Sequence, residues 1–283
     1  MQIIKPPALM QKTADRLRRR NKQIGLVATM GAFHEGHVSL IRRSAGQNDI
    51  TAVSIFVNPT QFGPGEDFDK YPRVFKADCR TASKAGADIV FHPAVKQMYP
   101  EGFQTYIDPG PIAEKLEGAA RPGHMRGVAT VCVKLFDIVK PHRAYFGQKD
   151  AQQLAVIRSV VKDLNFDMKI IACPIIRTKT GVAMSSRHSY LSEKDLKKAG
   201  VIYQSLKLAK KLIAKGETDT AIIRLRMAEL IESVNGAEIE YIAFNRWDDL
   251  EDMPVIRGRT LISMVVVMGG VRLLDNIIVG GKK

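Results

Sequence analysis

Five short runs rich in β-branched residues, at positions 24–28, 52–57, 88–91, 143–146 and 169–176, punctuate the first two thirds of the chain. Between most of them lie stretches whose apolar residues recur at helical spacing: 36–45, 75–85, 128–139 and 151–164. Strands that alternate with helices imply an α/β fold, a parallel sheet covered on both faces. In such a sheet ligands bind beyond the carboxyl ends of the strands, so chemistry is to be sought just after each run.

The pattern changes after residue 176. A polar stretch, 177–187, is followed by one helix lined by Ile202, Leu206, Ala209 and Ile213 and stopped by Gly216, then by another lined by Ile223, Met227, Leu230 and Val234 and stopped by Gly236. Strands are expected at 239–244, 261–268 and 275–279. The 283 residues therefore divide into a large α/β domain, 1–176, and a small C-terminal α+β domain, 177–283, with a cleft expected between them.

Composition removes several classes. The longest uncharged apolar stretch, 261–271, carries Gly269 and Gly270 and is far shorter than the ~20 residues a membrane helix needs, so no membrane partner is expected. The first 22 residues lack the apolar block of a secretion signal, which makes the cytoplasm the expected location. Cys79, Cys132 and Cys173 form no CxxC pair and read as small hydrophobes. A formal charge of +14 favours anionic partners, but the basic residues are scattered and aromatics make up only 7%, so no nucleic-acid partner is expected.

Four polar clusters fall at strand ends or at the domain junction. The first is Thr29-Met30-Gly31-Ala32-Phe33-His34-Glu35-Gly36-His37. Its glycines allow a tight strand-to-helix turn, and the helix start supplies unpaired N–H groups and a positive dipole end, a setting for phosphate. His34 and His37 could donate to phosphate oxygens, or could simply cap an ordinary turn. A zinc site is disfavoured, since HExxH spacing and a cysteine partner are missing, and so are the Walker-type loop and the dinucleotide fingerprint.

The second cluster holds Asn58 and Gln61, uncharged amides suited to reading a hydroxyl or a carboxylate, and suited also to forming a turn. The third runs from Gly147 through Gln148, Lys149 and Asp150 to Gln153. Gly147 permits close approach, and Lys149 either adds a charge beside the ligand or pairs with Asp150. The fourth, Met184-Ser185-Ser186-Arg187, has the donor inventory of a phosphate site or of a solvated loop. Their conjunction at one kind of place favours a site.

Segments 29–40, 53–62, 69–73 (DKYPR), 116–130 (LEGAARPGHMRGVAT), 134–154 and 185–192, with the ending Arg272-Leu273-Leu274-Asp275-Asn276, resemble in order and spacing the pantothenate synthetase family. These ligases join pantoate to β-alanine using ATP. The resemblance covers nearly the whole chain and implies a Rossmann-like nucleotidyltransferase domain with a small C-terminal α+β lid, a homodimer, and a turn shared with class I aminoacyl-tRNA synthetases.

It also implies residue roles. Met30, Gly31, Ala32, Phe33, His34, Glu35, Gly36 and His37 would contact ATP, with His37 the proton donor and His34 a phosphate ligand. Gly147, Gln148, Lys149, Asp150, Ile176, Met184, Ser185, Ser186 and Arg187 would complete the nucleotide site. Gln61 would hold pantoate and β-alanine, Gln153 pantoate, Asn58 would stand among the catalytic and substrate-binding groups, and Asp78 near a Mg²⁺ ion. The sequence departs from the family pattern at Ala28, Thr180 and His188, where proline, aspartate and asparagine are usual.

The implied reaction passes through a pantoyl adenylate and yields pantothenate, AMP and pyrophosphate. Two other readings stay open on the sequence: a nucleotidyltransferase acting on a phosphorylated acceptor, and an RNA-binding relative of the synthetases.

Overall fold

The computed structural model describes residues 1–280. The chain forms two compact units. The first comprises Met1–Gln148 and Gln152–Pro174; the second takes Lys149–Ala151 and the described residues from Ile175 onward.

The first unit is built on six parallel strands: β1 (Gln2–Ile4), β2 (Ile24–Thr29), β3 (Ile50–Ile55), β4 (Ile89–Phe91), β5 (Arg143–Gly147) and β6 (Lys169–Cys173). Their order across the sheet is β1-β4-β3-β2-β5-β6. β2 lies inside the sheet, and Ile24, Leu26 and Val27 are fully buried because helices cover both faces. On one face Val38 and Ile41 of helix Glu35–Ala45 meet Val27, Val53, Val90 and Tyr145. A satellite cluster joins Met125 and Ala129 to Val156 and Val160.

The order gives the sheet its chemical polarity. From β2 the chain steps to β3 and β4 on one side, and later to β6 on the far side of β5. The reversal lies between β2 and β5, which pair through Val27 and Tyr145. Such a switch point leaves a crevice beyond the carboxyl ends of the two strands, here Thr29 and Gly147. The first and third clusters begin there.

The α/β alternation is found as expected, with differences at its edges. The basic N-terminal segment forms strand β1 at the sheet edge and the helix Pro7–Arg19, opened by Pro6 and Pro7, whose fixed φ suits a first turn. The last strand ends at Cys173, not 176, because Pro174 has no N–H for the ladder. The helix expected from 128 begins at His124.

The second unit is a three-stranded antiparallel sheet, β7 (Ala237–Arg246), β8 (Thr260–Met268) and β9 (Val271–Val279), in that order. One face, with Ile242, Phe244, Ile262, Met264, Val266 and Leu273, packs on Ile202, Leu206, Ile223 and Met227 of helices Gly200–Ala214 and Thr220–Glu232. β9 begins four residues before the expected 275. Gly269 and Gly270, at φ 56° and 75°, close a two-residue hairpin that pairs Met268 with Val271. Among the described residues no helix is long and apolar enough to cross a membrane.

Candidate active site

The turn after β2 is shaped by main-chain hydrogen bonds that need particular residues. Thr29 Oγ1 donates to the Ser54 carbonyl at 2.6 Å and accepts from Gly31 N at 3.3 Å. Gly31 and Ala32 both take positive φ, 94° and 53°, which turns consecutive N–H groups inward. Those of Ala32 and Phe33 donate to the two carboxylate oxygens of Asp78, at 2.9 and 2.8 Å. Asp78 is 3% exposed; burial pushes its carboxyl pKa up, and the two amides pull it back.

His34 caps the helix that follows. Its Nδ1 accepts from Gly36 N at 3.1 Å, and His37 Nδ1 accepts from His34 N at 3.4 Å, a reciprocal capping box with imidazoles in place of hydroxyl and carboxylate. The rings lie 4.2 Å apart between centroids. Because each Nδ1 accepts a hydrogen bond, the proton of each neutral ring sits on Nε2. Capping and phosphate binding are therefore compatible: one nitrogen holds the turn, the other carries the proton. Glu35, by contrast, is exposed and faces Arg42 at 3.8 Å.

After β3 the 3₁₀ turn Pro59–Gln61 follows Asn58, whose side chain is 1% exposed and fully committed. Its Nδ2 donates to Gln61 Oε1 at 3.1 Å and to the Gly127 carbonyl at 3.2 Å. Its Oδ1 accepts from Tyr99 Oη at 2.7 Å and from Thr60 Oγ1 at 3.0 Å. With two donors and two acceptor sites occupied, Asn58 is built to position its neighbours, not to contact substrate as the sequence reading expected. Gln61 is half-buried and donates to Met30 Sδ at 3.2 Å.

The Gln61 carbonyl is held as well. His124 Nδ1 lies 2.7 Å from it and Arg121 donates to it at 3.3 Å, while Arg121 also grips Glu66 with two nitrogens and reaches His124 Nε2 at 3.1 Å. Burial first, and the Arg121 guanidinium second, push the His124 pKa down, in keeping with a neutral ring that donates from Nδ1 and accepts at Nε2. Tyr99, Arg121, His124 and Gly127 went unassigned from sequence. The segment 116–130 that holds the last three was visible as a motif, but its function as a support emerges only when helix His124–Val139 packs on the 3₁₀ turn.

Beyond β5, Gln148 N donates to the Cys173 carbonyl at 2.8 Å, and a side chain on Gly147 would point into open space. Gln152 is buried and ties Gly118, Ile112 and Lys115 together; the next residue, Gln153, is half-buried in the first turn of helix Ala151–Asp163.

In the second unit Lys149 is half-buried and stands 3.7 Å from the half-exposed Asp150, a loose surface pair of little energetic weight. Its main-chain carbonyl is fixed by Asn276 Nδ2 at 2.8 Å. Residues 176–184 double back on themselves: Met184 N donates to the Ile176 carbonyl at 2.9 Å, which brings those two expected nucleotide contacts side by side. Arg177 braces the loop through Gly181 O and a two-pronged pair with buried Asp275, and stacks on Tyr203 at 3.8 Å. Thr180 bonds Thr178 across the turn at 2.8 Å, so the missing aspartate does not unmake it. Ser185 caps the 3₁₀ turn Ser186–Tyr190, which carries Ser186 and Arg187, by accepting from Arg187 N at 3.3 Å. His188 Nε2 is buried without a hydrogen-bond partner among the described residues; burial and then the Lys149 ammonium hold its pKa down.

A metal has no protein cage here. Among the described residues no three His, Cys, Asp or Glu side chains gather around a common point, and both Asp78 oxygens already serve main-chain N–H groups. Asp78, expected near a metal, serves in this structure as a clamp on the turn.

A profile of the family described as Pantoate-beta-alanine ligase matches residues 2–278. The chain belongs to that family. A pantothenate synthetase of Caldicellulosiruptor bescii is 51% identical over 282 residues, with 100% of both chains covered. One of Acetivibrio thermocellus is 54% identical over 256 residues, 90% of this chain and 91% of that one. Among solved structures, pantothenate synthetase from Thermus thermophilus aligns with a TM-score of 0.92 at 37% identity, over 98% of this chain and 99% of that. The pantoate-beta-alanine ligase of Francisella tularensis, complexed with Beta-gamma ATP and Beta-alanine, gives a TM-score of 0.79 at 34% identity, over 98% and 97%. Family membership makes the protein an enzyme of the ligase class. The comparisons lend no support to a transferase acting on a phosphorylated acceptor or to an RNA-binding relative.

Proposed function

We propose that this pantoate–β-alanine ligase works through a pantoyl adenylate. A carboxylate is a poor electrophile, and an amine will not displace its oxygen until that oxygen is part of a leaving group. In the first step a pantoate carboxylate oxygen attacks the α-phosphorus of ATP, and the bond to the β-phosphate oxygen breaks to release pyrophosphate. In the second the neutral amine of β-alanine attacks the adenylate carbonyl, AMP departs with the electrons of the C–O bond, and the amine proton is lost.

The reciprocal capping of His34 and His37 is the observation that carries this reading. It fixes two Nε2–H donors at a helix start that also presents N–H groups, a preorganised setting for growing phosphate charge. His37 would donate a hydrogen bond from Nε2 to the leaving pyrophosphate and keep its proton, and His34 would be a second phosphate ligand. Met30 to Phe33 and Gly36 would contribute backbone, together with Gly147 and Gln148, while Gln61 and Gln153 would hold pantoate and Gln61 also β-alanine. Lys149, Asp150, Ile176 and Met184 to Arg187 would serve the nucleotide. Mg²⁺ would neutralise triphosphate charge and find its ligands on the nucleotide itself; none of these steps is routed through it. A cytoplasmic homodimer without nucleic-acid partners completes the proposal, supported by the family resemblance.

The test is stepwise. Pyrophosphate should appear from ATP only when pantoate is present, and AMP only after β-alanine is added. Lys149→Ala should slow adenylate formation by at least about a hundredfold with the fold intact, since one preorganised donor is worth roughly 3 kcal/mol. Pyrophosphate release indifferent to pantoate would defeat the assignment.

A further inference from the structure

We propose that Tyr99 is a positioning residue that braces Asn58 in the orientation dictated by the Gly127 carbonyl, and through it holds the Gln61 amide so that its NH₂ is offered to an oxygen acceptor such as a carboxylate or hydroxyl. The inference rests on the reading of Gln61 as the acid-binding amide.

A glutamine side chain can present either its carbonyl or its NH₂ to a ligand, and something must choose. Here the choice starts at a group whose polarity cannot change, the main-chain carbonyl of Gly127. It accepts from Asn58 Nδ2 at 3.2 Å, so the NH₂ end of Asn58 must face it; the reverse would oppose two carbonyl oxygens. The second hydrogen of that NH₂ donates to Gln61 Oε1 at 3.1 Å. Gln61 thereby holds its Oε1 toward Asn58 and turns its Nε2 hydrogens the other way, one of them facing Met30 Sδ.

Tyr99 closes the relay at the other end. Its hydroxyl donates to Asn58 Oδ1 at 2.7 Å, joined there by Thr60 Oγ1 at 3.0 Å. The two hydroxyls lie 3.2 Å apart and converge on one oxygen. The phenol keeps its proton, since burial raises its pKa to about 12. Its ring sits among Phe56 and Phe103, with Lys134 Nζ above it, so a phenylalanine would preserve the packing and remove only the donor. Close approach is what makes the relay possible: any β-carbon on Gly127 would run into the Thr60 carbonyl.

The experiment is a double-mutant cycle with Tyr99→Phe and Gln61→Ala, read as separate KM values for pantoate and ATP, with thermal melts of all four proteins. Tyr99→Phe should raise the pantoate KM about five- to tenfold, as expected for one lost hydrogen bond to a buried amide, and leave the ATP KM within about twofold. In the Gln61→Ala background the same change should add nothing, because the amide it orients is gone. An undiminished effect in that background would overturn the relay, as would an unaltered pantoate KM in Tyr99→Phe while Gln61→Ala raises it. If Gln61→Ala itself leaves the pantoate KM unchanged, the reading of Gln61 fails instead, and the proposal falls with it.

Discussion

Asp78 shows how much of a residue's work is set by the partners it meets in the fold. An acid near a phosphate site suggests a metal, yet its two oxygens hold the amides of Ala32 and Phe33, the pair that follows the positive-φ glycine. Asp78→Asn would keep one acceptor and turn an NH₂ toward the other N–H, leaving a buried donor unmet. Urea unfolding should therefore show a loss of about 1–3 kcal/mol. A metal ligand would behave differently, with a shifted Mg²⁺ requirement and little change in stability. His124 has a pH signature of its own. Burial and Arg121 set its folded pKa below the ordinary histidine value of 6.5, so the unfolded chain takes up the proton first as pH falls. The stability this neutral ring contributes is whole above pH 6.5 and drains away as pH drops toward the folded value. Denaturant midpoints measured at about pH 7.5 and about pH 5.5 should fall on the acid side. The fall should be smaller in His124→Asn; His142 and His188, also lowered by burial, supply the remainder with the same sign.

Helix His124–Val139 is the element on which the Gln61 side of the site depends, and it touches the 3₁₀ turn at its one residue without a side chain there, Gly127. Gly127→Ala should push the two apart, destabilising the protein by about 1–3 kcal/mol, the usual range for overpacking. Pantoate-dependent pyrophosphate release should fall more steeply than thermal stability. A variant with normal turnover and an unchanged melting temperature would show that the contact does not matter. This helix also marks the boundary of what could be read without coordinates. The apolar period of 128–139 was visible, as were the β-branched runs, because burial on both faces leaves a local signature. The four residues from His124 to Gly127 carry no such period; their purpose is set by what they meet from position 61. The same holds for Asn58, whose type suggested a ligand contact although four partners, Tyr99 and Gly127 among them, consume it. The His34 and His37 cluster was legible as a turn at a helix start, but the division of labour between Nδ1 and Nε2 required the distances. Likewise, nothing local announces that Lys149 is anchored by Asn276, which lies 127 positions away.

At the scale of the molecule the formal charge of +14 is the property left over once the site has been described. ATP and pantoate are anions, whereas β-alanine is a zwitterion with no net charge. A field spread over the surface raises the local concentration of anions and is screened over a Debye length, about 10 Å at 0.1 M salt. It should therefore act on the three substrates unequally. Raising salt from about 0.05 M to about 0.5 M should increase the ATP KM severalfold, the pantoate KM less, and the β-alanine KM hardly at all. Charges inside the site would produce part of the same trend, so the surface share must be separated. Arg16, Arg19 and Arg20 are exposed, on and just beyond the N-terminal helix, and none belongs to the groups assigned to substrates. Replacing all three with glutamine removes long-range charge without touching the turn at His34 or the loop at Ser185. If the field contributes, this variant should have a higher ATP KM at low salt, converge on the parent at high salt, and keep its kcat throughout. If instead its salt dependence matches the parent's at every concentration, the attraction is local to the phosphate ligands and the excess basicity has no part in capturing substrate.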